Sequence, residues 1–141
     1  MIELRIPSQL GWERAAMDLA GSVARRMGFP PERVEDIRTA VAEATTNAIE
    51  HGNGSDASRS VRIVLAPESA RLEIDVRDDG RAAFEEHAGP PSLERKLAGE
   101  QNTRGWGTFL IKSLVDEVEF ISTDDGNVVR MVIRLQRDED G

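Results

Sequence analysis

Glu43, Asn47 and His51 stand at four-residue intervals in the stretch EATTNAIEHGN, residues 43–53. On a helix each step of four turns the chain by only about 40°, so the three side chains form one slanted row. Such a row is either a solvated helix face or a site. If it is a site, its chemistry is that of hard oxygen ligands. The Asn47 amide oxygen suits Mg²⁺, which keeps several waters and takes one or two protein oxygens along with phosphates. Glu43, one turn earlier, could accept the proton of a hydroxyl or water attacking a nearby γ-phosphate. His51 fits a structural histidine at the helix end at least as well and is left out of the candidate set. Two further segments carry matching chemistry. Asp78 closes the strand-like run RLEIDVRD, and Gly80 after it lets another group approach the backbone closely. Arg104, Gly105, Gly107 and Thr108 precede an apolar helical run. Glycines there, the free N–H groups of the following helix and a forked guanidinium would together receive phosphate.

The elements that must hold these residues can be read from periodicity. IELRI alternates as a half-buried strand, and Pro7-Ser8 opens a helix whose stripe is Trp12, Ala15, Ala16, Leu19, Ala20 and Val23, ending near Gly28. A second helix starts after Pro30-Pro31, buries Val34, Ile37, Val41, Ala44 and Ala48 with Thr45 at its flank, and stops in GNGSDAS. VRIVLA at 61–66 and RLEIDVRD at 71–78 form a hairpin with one dry face and one wet. Periodicity fails from Asp79 to Arg104, a stretch long enough to be a lid or a binding loop. RGWGTFLIKSLVDEVEF then gives a helix burying Phe109, Leu110, Leu114 and Val115, and a strand from Val118. VEFISTDD and NVVRMVIRLQ make a last hairpin across Asp125-Gly126. The order predicts an α+β two-layer sandwich over residues 1–141, a mostly antiparallel mixed sheet with helices on one face.

Composition narrows the function classes. The chain has 141 residues, 39% hydrophobic and 31% charged, which suits one soluble globular domain. Cysteine is absent, and two histidines are too few for a histidine-based zinc site, so any metal must be held by oxygen. A net charge of -8 provides no basic footprint for nucleic acid and favours a partner with a basic surface. No apolar run approaches the roughly 20 residues of a membrane span and the N-terminus lacks the apolar core of a signal peptide, so a cytoplasmic location is expected.

In order and placement, E-A-T-T-N, D-D-G-R-A-A-F and R-G-W-G-T resemble the N, G1 and G2 boxes of the gyrase, chaperone, histidine-kinase and mismatch-repair ATPase superfamily, whose ATP-binding fold is the Bergerat type. ELRIP, VEDIRTAVAEATTNAIEHGN and GWGTFLIKSLVDEVEF are similar over nearly the whole chain to the anti-sigma-factor serine kinases of bacteria. The resemblance implies ATP and Mg²⁺ as cofactors, Glu43 as catalytic base, Asn47 as the Mg²⁺ ligand and Asp78 as the acceptor of the adenine amino group. It implies that Gly80, Arg104, Gly105, Gly107 and Thr108 line the nucleotide site and that 81–104 is an ATP lid. It implies two partners, a sigma factor and a STAS-type anti-anti-sigma antagonist phosphorylated on serine, and a homodimer. The chain departs from the pattern in having Arg81-Ala82-Ala83-Phe84 where a second G1 glycine is usual, Trp106 and Thr108 where the G2 box carries leucine or methionine, and no evident phosphate-binding lysine pattern in the lid beyond Arg95 and Lys96. A nucleotide-gated adaptor without kinase activity is the competing reading, against which an intact Glu43 stands.

Overall fold

In a computed structural model that describes residues 1–80 and 103–135, five strands form one sheet in the order β1-β2-β3-β5-β4. The strands are β1 (Ile2–Pro7), β2 (Ser60–Pro67), β3 (Arg71–Asp78), β4 (Glu117–Thr123) and β5 (Gly126–Arg134). The helices are α1 (Glu13–Met27), α2 (Pro31–Asn47), continued by a π-helical turn at Ala48–Gly52, and α3 (Thr103–Leu114). All pairings among the described strands are antiparallel, so no parallel component of the expected mixed sheet occurs among them. β5 sits between β3 and β4, which puts β4 at the sheet edge. The expected lid lies almost wholly outside the described residues.

Alternation sorts the side chains of the sheet. Ile63, Leu65, Leu72, Ile74, Val76, Met131 and Ile133 point to one face and are buried beneath Ile37, Val41 and Ala44 of α2 and Ile111 of α3. At about 1.5–3 kcal/mol for each large side chain removed from water, this face dominates the stability of the layer. The opposite face carries Glu73, Asp75 and Arg77, with Arg130 of β5 in register with Asp75.

Chain punctuation behaves as its chemistry dictates. Gly28 takes φ of 97° and closes α1 in the left-handed region that glycine tolerates, and Pro31 occupies the first turn of α2, where no N–H is needed. Three expectations need correction. Trp12 is the residue before α1 and is 48% exposed, because the helix begins one residue later and its buried stripe is made of small residues. Along α3 the core position is Ile111, fully buried, while Phe109 is 38% exposed and Leu110 and Leu114 are half-buried. The helix turns Ile111 toward the core and Phe109 toward solvent, and Val115 is buried just beyond it. The last hairpin turns at Asp124-Asp125, since Thr123 and Gly126 already pair across it.

Candidate functional site

The end of α2 builds the site. Up to Asn47 the helix is regular; then the backbone widens into a π turn, in which the Asn53 N–H reaches the Ala48 carbonyl at 2.8 Å, five residues back. π turns are rare and concentrate where a helix must re-aim a residue. Here the widened turn brings Gly52 against Asp78 and Asn53 against Asp79. A methyl on Gly52 would fall on the Asp78 carboxylate, and one on Gly80 would fall on the Gly52 carbonyl. The two glycines therefore let the helix end and the strand end touch backbone to backbone.

Asp78 is buried at the end of β3. Its Oδ1 accepts the Gly80 N–H at 2.8 Å and the Asn127 side-chain amide at 3.2 Å, and its Oδ2 faces Gly52. Asn127 lies directly opposite Asp78 in the β3–β5 register and is 2% exposed. Two donors on one oxygen orient the carboxylate, a buried acceptor with fixed direction.

One to two turns earlier on α2, Asn47 is buried and Glu43 half-buried. Gly107 of α3 packs onto both: a methyl there would stand 2.9 Å from Glu43 Oε1 and 3.0 Å from Asn47 Nδ2. Burial pushes the Glu43 carboxyl above its ordinary 4.5, and the like charge of Glu50 adds to the effect. Glu43 also borders an open pocket of about 450 Å³ between α1 and α2, lined among others by Arg14, Met17, Asp18, Arg38 and Thr46. A carboxylate whose proton affinity is raised, at the mouth of a pocket, is equipped to take a proton.

The structure thus brings Glu43, Asn47 and Gly107 together at one end of the site, and Asp78 and Gly80 at the other. Thr108 is half-buried on α3, next to Gly107. Gly105 and Gly107 do not form a loop ahead of the helix as expected: α3 begins at Thr103 and runs through them. The absent side chain of Gly107 acts as clearance for Glu43 and Asn47 within the helix. Arg104 falls in the first turn of α3, its side chain outside the described residues. His51 lies within the π turn, where the four-residue row that began at Glu43 is no longer kept. Sequence reasoning missed Gly52, Asn53 and Asn127. Gly52 and Asn53 stood in a stretch read only as a helix stop, and Asn127 becomes visible only through the pairing of β3 with β5.

The donor set can be tested against Mg²⁺. Among the described residues no group of three or more His, Asp or Glu side chains could hold a metal ion by itself. A single buried amide oxygen at Asn47 fits a cation that arrives with phosphate oxygens and its own waters.

The model of the histidine kinase-like ATPase domain matches residues 6–133. A serine-protein kinase RsbW of Halalkalibacterium halodurans is 33% identical over 142 aligned residues, covering 98% of this chain and 85% of that protein. The serine-protein kinase RsbW of Oceanobacillus iheyensis is 30% identical, with coverage of 98% and 89%. Among solved structures, the RsbU and RsbW domains of Rv1364c from Mycobacterium tuberculosis superpose with a TM-score of 0.65 at 20% identity, over 97% of this chain and 33% of that one. The catalytic domain of the histidine kinase ThkA gives 0.51 at 14% identity, covering 96% and 98%. These structural likenesses concern the fold. No helix among the described residues is long and apolar enough to cross a membrane.

Proposed function

Because the chain belongs to the histidine kinase-like ATPase family, we propose that it is an ATP-dependent protein serine kinase that binds the adenine at Asp78 and carries out phosphoryl transfer beside Glu43. Asn47, Gly80, Arg104, Gly105, Gly107 and Thr108 complete the nucleotide site in this reading. Like the anti-sigma-factor kinases it resembles, it holds a sigma factor and phosphorylates a serine of a STAS-type antagonist, and it works as a homodimer.

The observation that carries this reading is the state of Glu43. It is partly desolvated, raised in pKa by burial and by Glu50, and borders both Asn47 and the α1–α2 pocket. An acceptor serine hydroxyl entering from that pocket gives its proton to Glu43 as its oxygen bonds to the γ-phosphorus and the bond to the β,γ-bridging oxygen breaks, leaving ADP. Mg²⁺, when bound, neutralises phosphate charge, and Asn47 would hold it. Asp78 accepts from the adenine amino group, while Gly52 and Gly80 let the helix end and the strand end close together around its carboxylate.

The test is incubation with labelled ATP, Mg²⁺ and small STAS-type proteins from the same genome. Label on an antagonist serine is the expected result. ATP binding without transfer to any of them would favour the adaptor. Calorimetry on Asp78→Asn checks the base assignment separately, because an amide can turn its NH₂ toward the adenine donor; unchanged ATP affinity would remove that assignment.

A further inference from the structure

Asn53 belongs to none of the three boxes, yet its side chain ties the segment that follows Asp78 to two other parts of the fold. It is 4% exposed. Its Oδ1 accepts the backbone N–H of Asp79 at 2.8 Å, and its Nδ2 donates to Ser8 Oγ at 2.8 Å and to the Ser60 carbonyl at 3.1 Å. Ser8, fully buried, passes the connection on: its hydroxyl donates to the Arg59 carbonyl at 2.8 Å. Arg59 in turn donates from Nη1 to the Asp79 carbonyl at 3.3 Å. Both backbone polar groups of Asp79 are thereby held by the 53–59 turn. The amide orientation follows from its neighbours, since the Asp79 N–H needs an acceptor and the Ser60 carbonyl a donor.

We propose that Asn53 is a positioning residue for base recognition, fixing the Asp78–Gly80 segment by clamping Asp79 to the ends of β1 and β2. This rests on the reading of Asp78 as the adenine acceptor. The π turn is what makes the clamp possible. The Asn53 N–H bonds to Ala48, and the Ser55 N–H reaches the Ile49 carbonyl at 2.7 Å with Gly54 and Ser55 both at positive φ, so the chain reverses with the Asn53 side chain turned inward. A carbon chain at 53 would leave the Asp79 N–H and the Ser60 carbonyl without these partners, and the Gly80 N–H that with Asn127 orients the Asp78 carboxylate would be less firmly held.

The experiment is a double-mutant cycle on ATP affinity, read by calorimetry, with Asn53→Ala, Asp78→Asn and their combination, and with magnesium tripolyphosphate as a ligand that has no base. Asn53→Ala should weaken ATP about tenfold, the size of one buried hydrogen bond to a needed group, and leave tripolyphosphate affinity unchanged. In the Asp78→Asn background the same change should cost less than about twofold, because the group it positions is gone. Additive losses, or equal losses for ATP and tripolyphosphate, would show a general structural role and overturn the proposal. If Asp78→Asn alone leaves ATP affinity intact, the base assignment itself fails and the proposal falls with it, by a different signature. Should Asn53→Ala not fold, Ser8→Ala removes one anchor while keeping the Asp79 bond. It should show a smaller loss confined to ATP, and no loss would count against the clamp.

Discussion

Asp75 and Glu43 are both carboxylates withdrawn from water, and their surroundings are opposite. The Asp75 side chain, 8% exposed on the outer face of β3, is gripped by Arg130, whose Nε reaches Oδ1 at 3.0 Å and whose Nη2 reaches Oδ2 at 3.2 Å. Arg77 adds a further bond to Oδ2 at 3.2 Å. The hydrogen bonds that Arg130 donates to Asp75, then the charge of Asp75, hold the guanidinium even further up than usual. Glu43 has no such partner: among the described residues no cation pairs with it, and its charged neighbour is Glu50. A buried carboxylate with both oxygens matched holds a sheet together. One left unmatched keeps its appetite for a proton.

The surroundings of each carboxylate can be changed separately. Arg130→Leu would leave Asp75 with Arg77 alone; we expect a loss of about 1–3 kcal/mol in urea unfolding with nucleotide affinity unchanged. Undiminished stability would mean that the outer-face network contributes nothing. Glu50→Lys would make Glu43 resemble Asp75 by giving it an opposite charge. The acid limb of the pH–rate profile for phosphotransfer should then move to lower pH, and an unmoved limb would separate Glu43 from that titration. The smallest effect is on stability. Glu43 is raised in the folded state above its ordinary 4.5, so its contribution is fully present below that value and is lost as pH rises through the folded pKa. Glu43→Gln, which cannot ionise, should therefore melt higher than the parent protein near pH 8 and lose that advantage near pH 4. The reverse order would refute the raised pKa.

The contrast also marks what could be read in advance. Alternation in RLEIDVRD placed Leu72, Ile74 and Val76 in the core, and four-residue spacing placed Glu43 and Asn47 on one face, because both patterns are local and periodic. The π turn at 48–52 has no periodic signature, so the row from Glu43 was carried on to His51 where the helix had already widened. Asn53 and Asn127 escaped because their partners lie far along the chain, and only the folded sheet and the helix end bring them to Asp79 and Asp78. Gly107 was read as allowing close approach to phosphate ahead of a helix, and it lies inside the helix with Glu43 and Asn47 close to it. A glycine's role depends on what comes close to it, and a single sequence does not contain that.

We propose above that the unmatched carboxylate at 43 receives the proton during phosphoryl transfer from ATP. It is tested most directly by one preparation of Glu43→Gln, assayed for ATP affinity by calorimetry and for single-turnover transfer to an antagonist serine alongside the parent protein. Affinity should be retained while transfer falls by about 10²- to 10⁴-fold, the usual contribution of a positioned base. Transfer at the parental rate by the variant would rule out Glu43 as the base.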